Sequence, residues 1–373
     1  MLETPNIAVT LLAFLLLLGP LVVVHELGHY LVGRWCRVKA DVFSVGFGRE
    51  LAGWTDRRGT RWKLCVLPLG GYVQFAGDMN AASMPGAVDE SLTPAERAEL
   101  FQFKPLWQRS LIVLAGPLTN LLFAVAIFAA FNMAYGRVVA APEIAEFTKG
   151  SAAEAAGLKI GDRIVSVDGD AIASFTEIPE HVVPYPGRTL TIAVQRGGEL
   201  IEIAVRIAEH IETDQFGNEA RIGRLGIGAD SGRIEIVEVG PGESVSIAID
   251  QSIGIMKMMA TGIGQIFTGE RSVRELGGPI KIAKFSGEQL SLGWANFVSF
   301  AALISINLAF INLLPIPALD GGHLAFYAAE AVRRRPLGMR SQEWAFRTGL
   351  ALVLALMVFV TINDLVSLPI FGG

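Results

Sequence analysis

Residues Ile7 to Gly33 form an apolar run long enough to cross a bilayer, and its last turns carry His25, Glu26 and His29. A membrane span needs about 20 predominantly apolar residues. Ionisable side chains inside such a span are expensive and as a rule mark a site. Backbone at that depth must satisfy its own hydrogen bonds, so the run is predicted to be a helix.

Three further segments read as spans: Ser110 to Tyr135, Trp294 to Leu314 and Thr348 to Leu368. A chain that is 51% hydrophobic and 18% charged fits a polytopic membrane protein better than a soluble domain. The net charge of -5, with no basic stripe interleaved with aromatics, excludes nucleic acid as a partner. The opening run lacks a basic start and a small-residue cleavage site, so it is expected to stay in the mature chain rather than act as a signal peptide. Cys36 and Cys65 fit neither a zinc knuckle nor a disulfide framework and are expected as free thiols.

Orientation follows from the cations beside the helix ends. Arg34, Arg37, Lys39, Arg109, Arg333, Arg334, Arg335 and Arg347 all fall on one side of a four-helix weave, while residues 1–6 and 361–373 hold no Lys or Arg. Cytoplasmic loops carry the excess of Lys and Arg. Both termini, and the insertion between the second and third spans, are therefore predicted to face away from the cytoplasm.

Texture divides the chain further. Residues 1–136 form an N-terminal membrane core, in which Lys39 to Phe75 holds two glycine-punctuated runs of strand character, DVFSVGFGREL and KLCVLPLGGYVQF. Residues 78–105 look like a solvated loop with one short helix begun by Thr93 and Pro94, and no chemistry is assigned to them. Residues 137–243 read as a water-soluble, strand-rich domain, with alternation around an Asp-Gly turn in GLKIGDRIVSVDGDAI. Residues 244–293 form an interfacial region. Within it the pattern from Glu243 to Phe267 is helical but interrupted by Asp250, Gln251 and Lys257, as in a surface-lying helix. Residues 294–373 complete the membrane core. The expected fold is thus a four-helix membrane protein with a membrane-associated β-sheet and a small inserted α+β domain.

The chemistry starts at His25-Glu26-Leu27-Gly28-His29, an H-E-x-x-H pattern. Residues four apart on a helix share a face, so both imidazoles can reach one zinc ion with Glu26 beside them as general base. A catalytic zinc takes three protein ligands and keeps one position for water, so a third ligand must come from elsewhere. Asp320 is the leading candidate, because NLLPIPALDGGHL (Asn312 to Leu324) breaks a span at the same membrane face where the first helix ends. Glu50 is its main competitor, about twenty residues past the second histidine, although Arg49 beside it favours a solvated charge. His323 is a weaker alternative, and His181 and His210 in the inserted domain are expected to do nothing special.

HELGH at 25–29, FSVGFG at 43–48, PLGGYV at 68–73, GGPIKIAK at 277–284 and NLLPIPALDGGHL at 312–324 occur in this order along nearly the whole chain. Together they resemble the site-2 protease class of intramembrane zinc metalloproteases, in its bacterial branch that cuts membrane-anchored anti-sigma factors. The resemblance implies zinc ligation by His25, His29 and Asp320, with Glu26 as catalytic acid and base. It further implies substrate positioning by Asn307 and Asn312, although amides also bridge spanning helices without any such role. KGSAAEAAGLKIGDRIVSVDG at 149–169 resembles a PDZ domain, which binds peptide ends along a sheet edge. The branch often carries two such domains, and the insertion here has room for one.

The expected function is regulated intramembrane proteolysis in the bacterial inner membrane, on a single-pass protein already trimmed on the outer side. The partners are that substrate, peptide ends at the PDZ domain, and membrane lipid. Two other classes compete: a catalytically silent PDZ scaffold or chaperone, and a zinc transporter, since His and Asp also line ion paths.

Overall fold

The structure is a computed structural model that describes residues 6–77, 93–213, 219–230, 234–335 and 337–366. Parts of the predicted 78–105 loop and of the cation-free termini lie outside the described residues. Eight helices matter here. They are α1 (Ile7–Trp35), α2 (Leu106–Tyr135), α3 (Ile178–Val182), α4 (Pro241–Thr268), α5 (Pro279–Ser291), α6 (Trp294–Leu313), α7 (Asp320–Arg333) and α8 (Met339–Val366). The strands used below are β1 (Ala40–Thr55), β2 (Arg61–Phe75), β3 (Arg163–Val167), β4 (Asp170–Ala171), β5 (Thr189–Arg196), β6 (Glu199–Arg206), β7 (Ala208–Thr213) and β8 (Glu219–Arg224). The short helix expected after Thr93 is Pro94–Glu99, where Thr93 Oγ1 accepts from the Glu96 N–H and Glu96 accepts from the Thr93 N–H.

Two compact units divide the chain: one holds the residues up to Ile127 together with Gly277–Asp364, the other Phe128–Leu276 with the chain end from Leu365. Among the described residues, α1, α2, α6 and α8 are the helices long and apolar enough to cross a membrane. This is a membrane protein. Three of the four outrun the apolar runs read from sequence. α8, for example, begins nine residues before Thr348, and its added polar turns carry an i,i+4 pair between Glu343 and Arg347. Leu350, Leu354, Phe359 and Ile362 on α8 stay exposed, as lipid-facing side chains should. The interrupted helical pattern after Glu243 becomes α4, which is not among the candidate spans.

In the first unit, Leu17 and Leu21 of α1 pack with Phe297 and Ile304 of α6 and with Ile282 of α5. A second core holds Tyr30, Phe43, Val73, Phe75, Phe101, Ile112 and Tyr327, and so gathers α1, both strands, α2 and α7. Arg109 of α2 pairs with the buried Glu330 of α7 at 3.2 Å and lies over the Tyr327 ring. At the start of α5, Asp364 accepts the N–H groups of Gly278, Ile280 and Lys281, a charge-assisted cap that ties α5 to α8.

β1 and β2 are long and bent, and their register shows how they lie. Val42–Val45 pair with Gly71–Gln74 on one side and with Arg61–Leu64 on the other, while Glu50–Thr55 return along Arg61–Cys65. Gly71–Phe75 is thereby the rim of the sheet. Phe47, Leu51, Trp54, Leu64 and Leu67 remain exposed, an apolar surface suited to contact with lipid.

In the second unit a four-stranded antiparallel sheet runs in the order β4-β3-β5-β6. Alternate residues of β5, Leu190, Ile192 and Val194, enter its core, joined by Ile164, Val167 and Val205. The fully buried Asp162 accepts from Arg196 through both carboxylate oxygens, at 2.7 and 2.6 Å, and from the Lys159 N–H at 2.8 Å. Burial pushes this carboxyl up, but the guanidinium and the backbone donor outweigh it and hold it below the usual aspartate range. A folded-state value below the unfolded one stabilises the fold above about pH 4 and loses that stability as pH falls through the folded value. Thermal unfolding of the full chain in detergent between pH 3 and 6 should show this unit melting at lower temperature as pH drops. Asp162→Asn should lower its melting temperature at pH 6 and flatten the pH dependence.

Candidate metal centre

His25 and His29 leave α1 on one face, one turn apart. Their Nε2 atoms lie 3.2 Å from each other. Asp320 Oδ2, on the first residue of α7, lies 3.2 Å from His25 Nε2 and 3.4 Å from His29 Nε2. A tetrahedral zinc with bonds of about 2.0–2.1 Å sets its ligand atoms roughly 3.3–3.4 Å apart. The three edges, 3.2–3.4 Å, come close to that length.

Protonation points the same way. His29 Nδ1 donates to the Ile112 carbonyl at 2.9 Å, which leaves the lone pair on Nε2. Asp320 Oδ2 is buried and receives no well-aligned hydrogen bond, although both ring nitrogens are near. With Nδ1 of each ring protonated, the lone pairs converge on one point, a repulsive arrangement in a low-dielectric interior that a cation relieves. The donor set of two imidazoles and one carboxylate fits zinc and leaves one position for water.

Local sequence explains how the ligands are held. Leu314–Leu319 contains Pro315 and Pro317, which cannot continue α6, and Ala318 takes φ +84° where the chain turns into α7. A side chain at Gly321 or Gly322 would overlap the carbonyls of Leu313, Leu314 and Ile316, so the loop can fold tightly over the turn that presents Asp320. Between α1 and α2 the approach is equally close. A methyl at Gly28 would overlap Thr119 and Ala115, and one at Gly116 would overlap His29 Nε2.

Glu26 sits beside the triad, and its Oε2 accepts from the Val73 N–H on the rim of the sheet at 3.0 Å. The triad opens into a cavity of about 220 Å³ whose walls include Glu26, Gly71, Val73, Asn312 and His323. Asn307 is not among its lining residues. Glu50, the rival ligand, lies apart from the triad and pairs with Arg61. His323 reaches the cavity but not the triad. In the inserted unit His181 lies 3.5 Å from Asp170, and His210 borders a separate hollow. Cys36 and Cys65 are buried free thiols.

The family model described as peptidase family M50 matches residues 13–356. The chain belongs to peptidase family M50. Zinc is the cofactor of this family, and the chain is a zinc metalloprotease by membership. A protein of Rhizobium meliloti, named as a candidate zinc metalloprotease, is 45% identical over 363 residues, covering 96% of this chain and 97% of its own. One of Agrobacterium fabrum with the same kind of name is 44% identical over 358 residues, 95% of each chain. Metalloprotease MmpA of Caulobacter vibrioides is 35% identical over 396 residues, 97% of each.

Three features of this M50 centre escaped the reading from sequence: the Val73 N–H on Glu26, the Ile112 carbonyl on His29, and Asn120, fully buried against His25. Only Asn120 leaves a trace there, as an amide in the middle of a span. The close approach at α2 is testable. Gly116→Ala should weaken zinc binding at least about tenfold by chelator competition, because His29 must move. Gly19→Ala, on the same helix as the histidines but with open space around it, should leave zinc binding unchanged.

Proposed function

We propose that this M50 peptidase is an intramembrane endopeptidase of the site-2 type, in which His25, His29 and Asp320 hold zinc and Glu26 is the acid and base. The observation that carries this is the near-equilateral triangle of ligand atoms with Glu26 beside it at the end of a spanning helix. Bound zinc supplies Lewis-acid chemistry, which acidifies water and polarises a carbonyl. The Val73 N–H fixes Oε2 of Glu26, so the carboxylate faces the cavity in one orientation. Glu26 takes the proton of the attacking water and returns it to the leaving amide nitrogen.

A helical substrate hides its amides, so it must be unwound and held extended before cleavage. The rim Gly71–Phe75 supports such holding, since it borders the cavity and an unwound segment could add to it as a further strand. Asn312, in the same cavity wall, is placed to grip exposed backbone. Asn307 is retained as a substrate-positioning residue by resemblance alone.

The substrate is a single-pass protein of the bacterial inner membrane, an anti-sigma factor whose outer part has already been cut. The inserted unit acts as a single PDZ-like filter on the periplasmic side, where both termini also lie. Supporting this are the GLKIGD segment and a hollow of about 340 Å³ between α3 and the segment Ile222–Ile227, lined by Ile178, Val182, Ile222 and Leu225 and suited to a peptide end.

With purified protein and a single-pass substrate, Glu26→Gln should slow cleavage about 10²–10⁴-fold while keeping its zinc. Full cleavage by this variant would overturn the mechanism. Asp320→Ala should strip the metal and Glu50→Ala should not, and the reverse result would reassign the third ligand. Deleting residues 143–208 should let an uncut, full-length substrate be processed; unchanged selectivity would remove the filter role.

A further inference from the structure

Asn120 lies at the centre of α2, has no solvent exposure, and faces the first zinc-ligand candidate from outside the triad. Its Nδ2 is 3.4 Å from His25 Nδ1, its Oδ1 has no hydrogen-bond partner, and its backbone carbonyl accepts from Ser305 Oγ of α6 at 2.8 Å. A neutral imidazole carries one proton, so His25 can offer the Nε2 lone pair to a metal only while Nδ1 keeps its hydrogen. An amide NH₂ against Nδ1 donates to it and would force the proton onto Nε2, which blocks ligation. Amide oxygen and nitrogen are told apart by their hydrogen-bond partners. Half a turn of the amide puts Oδ1 on Nδ1–H, which gives the orphaned oxygen its donor and leaves Nε2 free for the metal.

We propose that Asn120 is a positioning residue that accepts from His25 Nδ1–H, fixes the tautomer of His25, and thereby sets the affinity of this protein for zinc. The inference rests on the ligand reading of His25. α2 then serves both histidines in the same way: the Ile112 carbonyl accepts from His29, and the Asn120 side chain, eight residues later on the same helix, accepts from His25. Outer partners of this kind raise ligand basicity and hold the ring, and losing one typically costs 10–100-fold in metal affinity. Ser305 bears on the position as well, because its hydrogen bond to the Asn120 carbonyl joins α6 to this turn of α2.

The test is zinc affinity of the full-length protein in detergent, read by competition with a chromogenic chelator. Asn120→Leu, of similar volume but without an acceptor, should bind zinc 10–100-fold more weakly, and Asn120→Asp, which keeps the acceptor, should stay within about threefold of wild type. Zinc-free Asn120→Leu should melt close to zinc-free wild type, which separates the effect from packing. If the leucine variant does not fold, Asn120→Ala carries the same comparison. Unchanged affinity in the variant lacking the amide, or equal losses in the aspartate and leucine variants, would overturn the proposal. His25→Ala serves as the parallel arm. If it retains zinc, the ligand reading itself fails, whereas loss there with no effect at Asn120 sinks only this inference.

Discussion

The convergence of two imidazole nitrogens and one carboxylate oxygen on a single point is the constraint from which the first unit is built. Three acceptors at 3.2–3.4 Å inside a membrane protein repel one another unless a proton or a metal ion lies between them. The fold must therefore hold α1 and α7 in place against that repulsion, and it does so with a buried ion pair, a charge-assisted helix cap and a dense aromatic core. Each contact is ordinary alone. Together they fix two helix ends far apart in sequence to within a bond length, and a tetrahedral ion tolerates little more.

Close helix approach is the second requirement, and it explains residues that a bare motif leaves open. The glycine in HELGH is not a spacer: Gly28 faces Ala115 and Thr119, and Gly116 faces the imidazoles in return. Alanine would favour either helix by up to about 1 kcal/mol on propensity. The chain forgoes that gain because backbone contact brings the Ile112 carbonyl and the Asn120 amide within reach of the two ring nitrogens.

Much of this was legible in sequence, for a physical reason. Lipid makes His25, Glu26 and His29 conspicuous, since each is costly unless it serves a site. Asp320 was put forward by ligand counting together with the broken span around Pro315 and Pro317, and the structure sets it beside both histidines. The bend that pairs Val42–Val45 on both sides was not legible, because alternation reports which residues face one way and not which segments lie side by side. Asn120 was hidden for the opposite reason: an amide in a span reads equally well as glue between helices. Val73 and Ile112 could not be found at all, since they act through backbone atoms that every residue carries.

That last point bears on how the proposed base is placed. Glu26 belongs to the helix that carries the histidines, but its carboxylate is fixed from the sheet, by the N–H of Val73. The same rim, Gly71–Phe75, is the edge proposed to receive an unwound substrate. A shift of that edge would turn the Glu26 carboxylate relative to the triad, because the Val73 N–H holds its Oε2. Strand position and carboxylate orientation are thus coupled. This is the physical ground for including the rim Gly71–Phe75 in the proposed catalytic apparatus beside the metal-centre candidate.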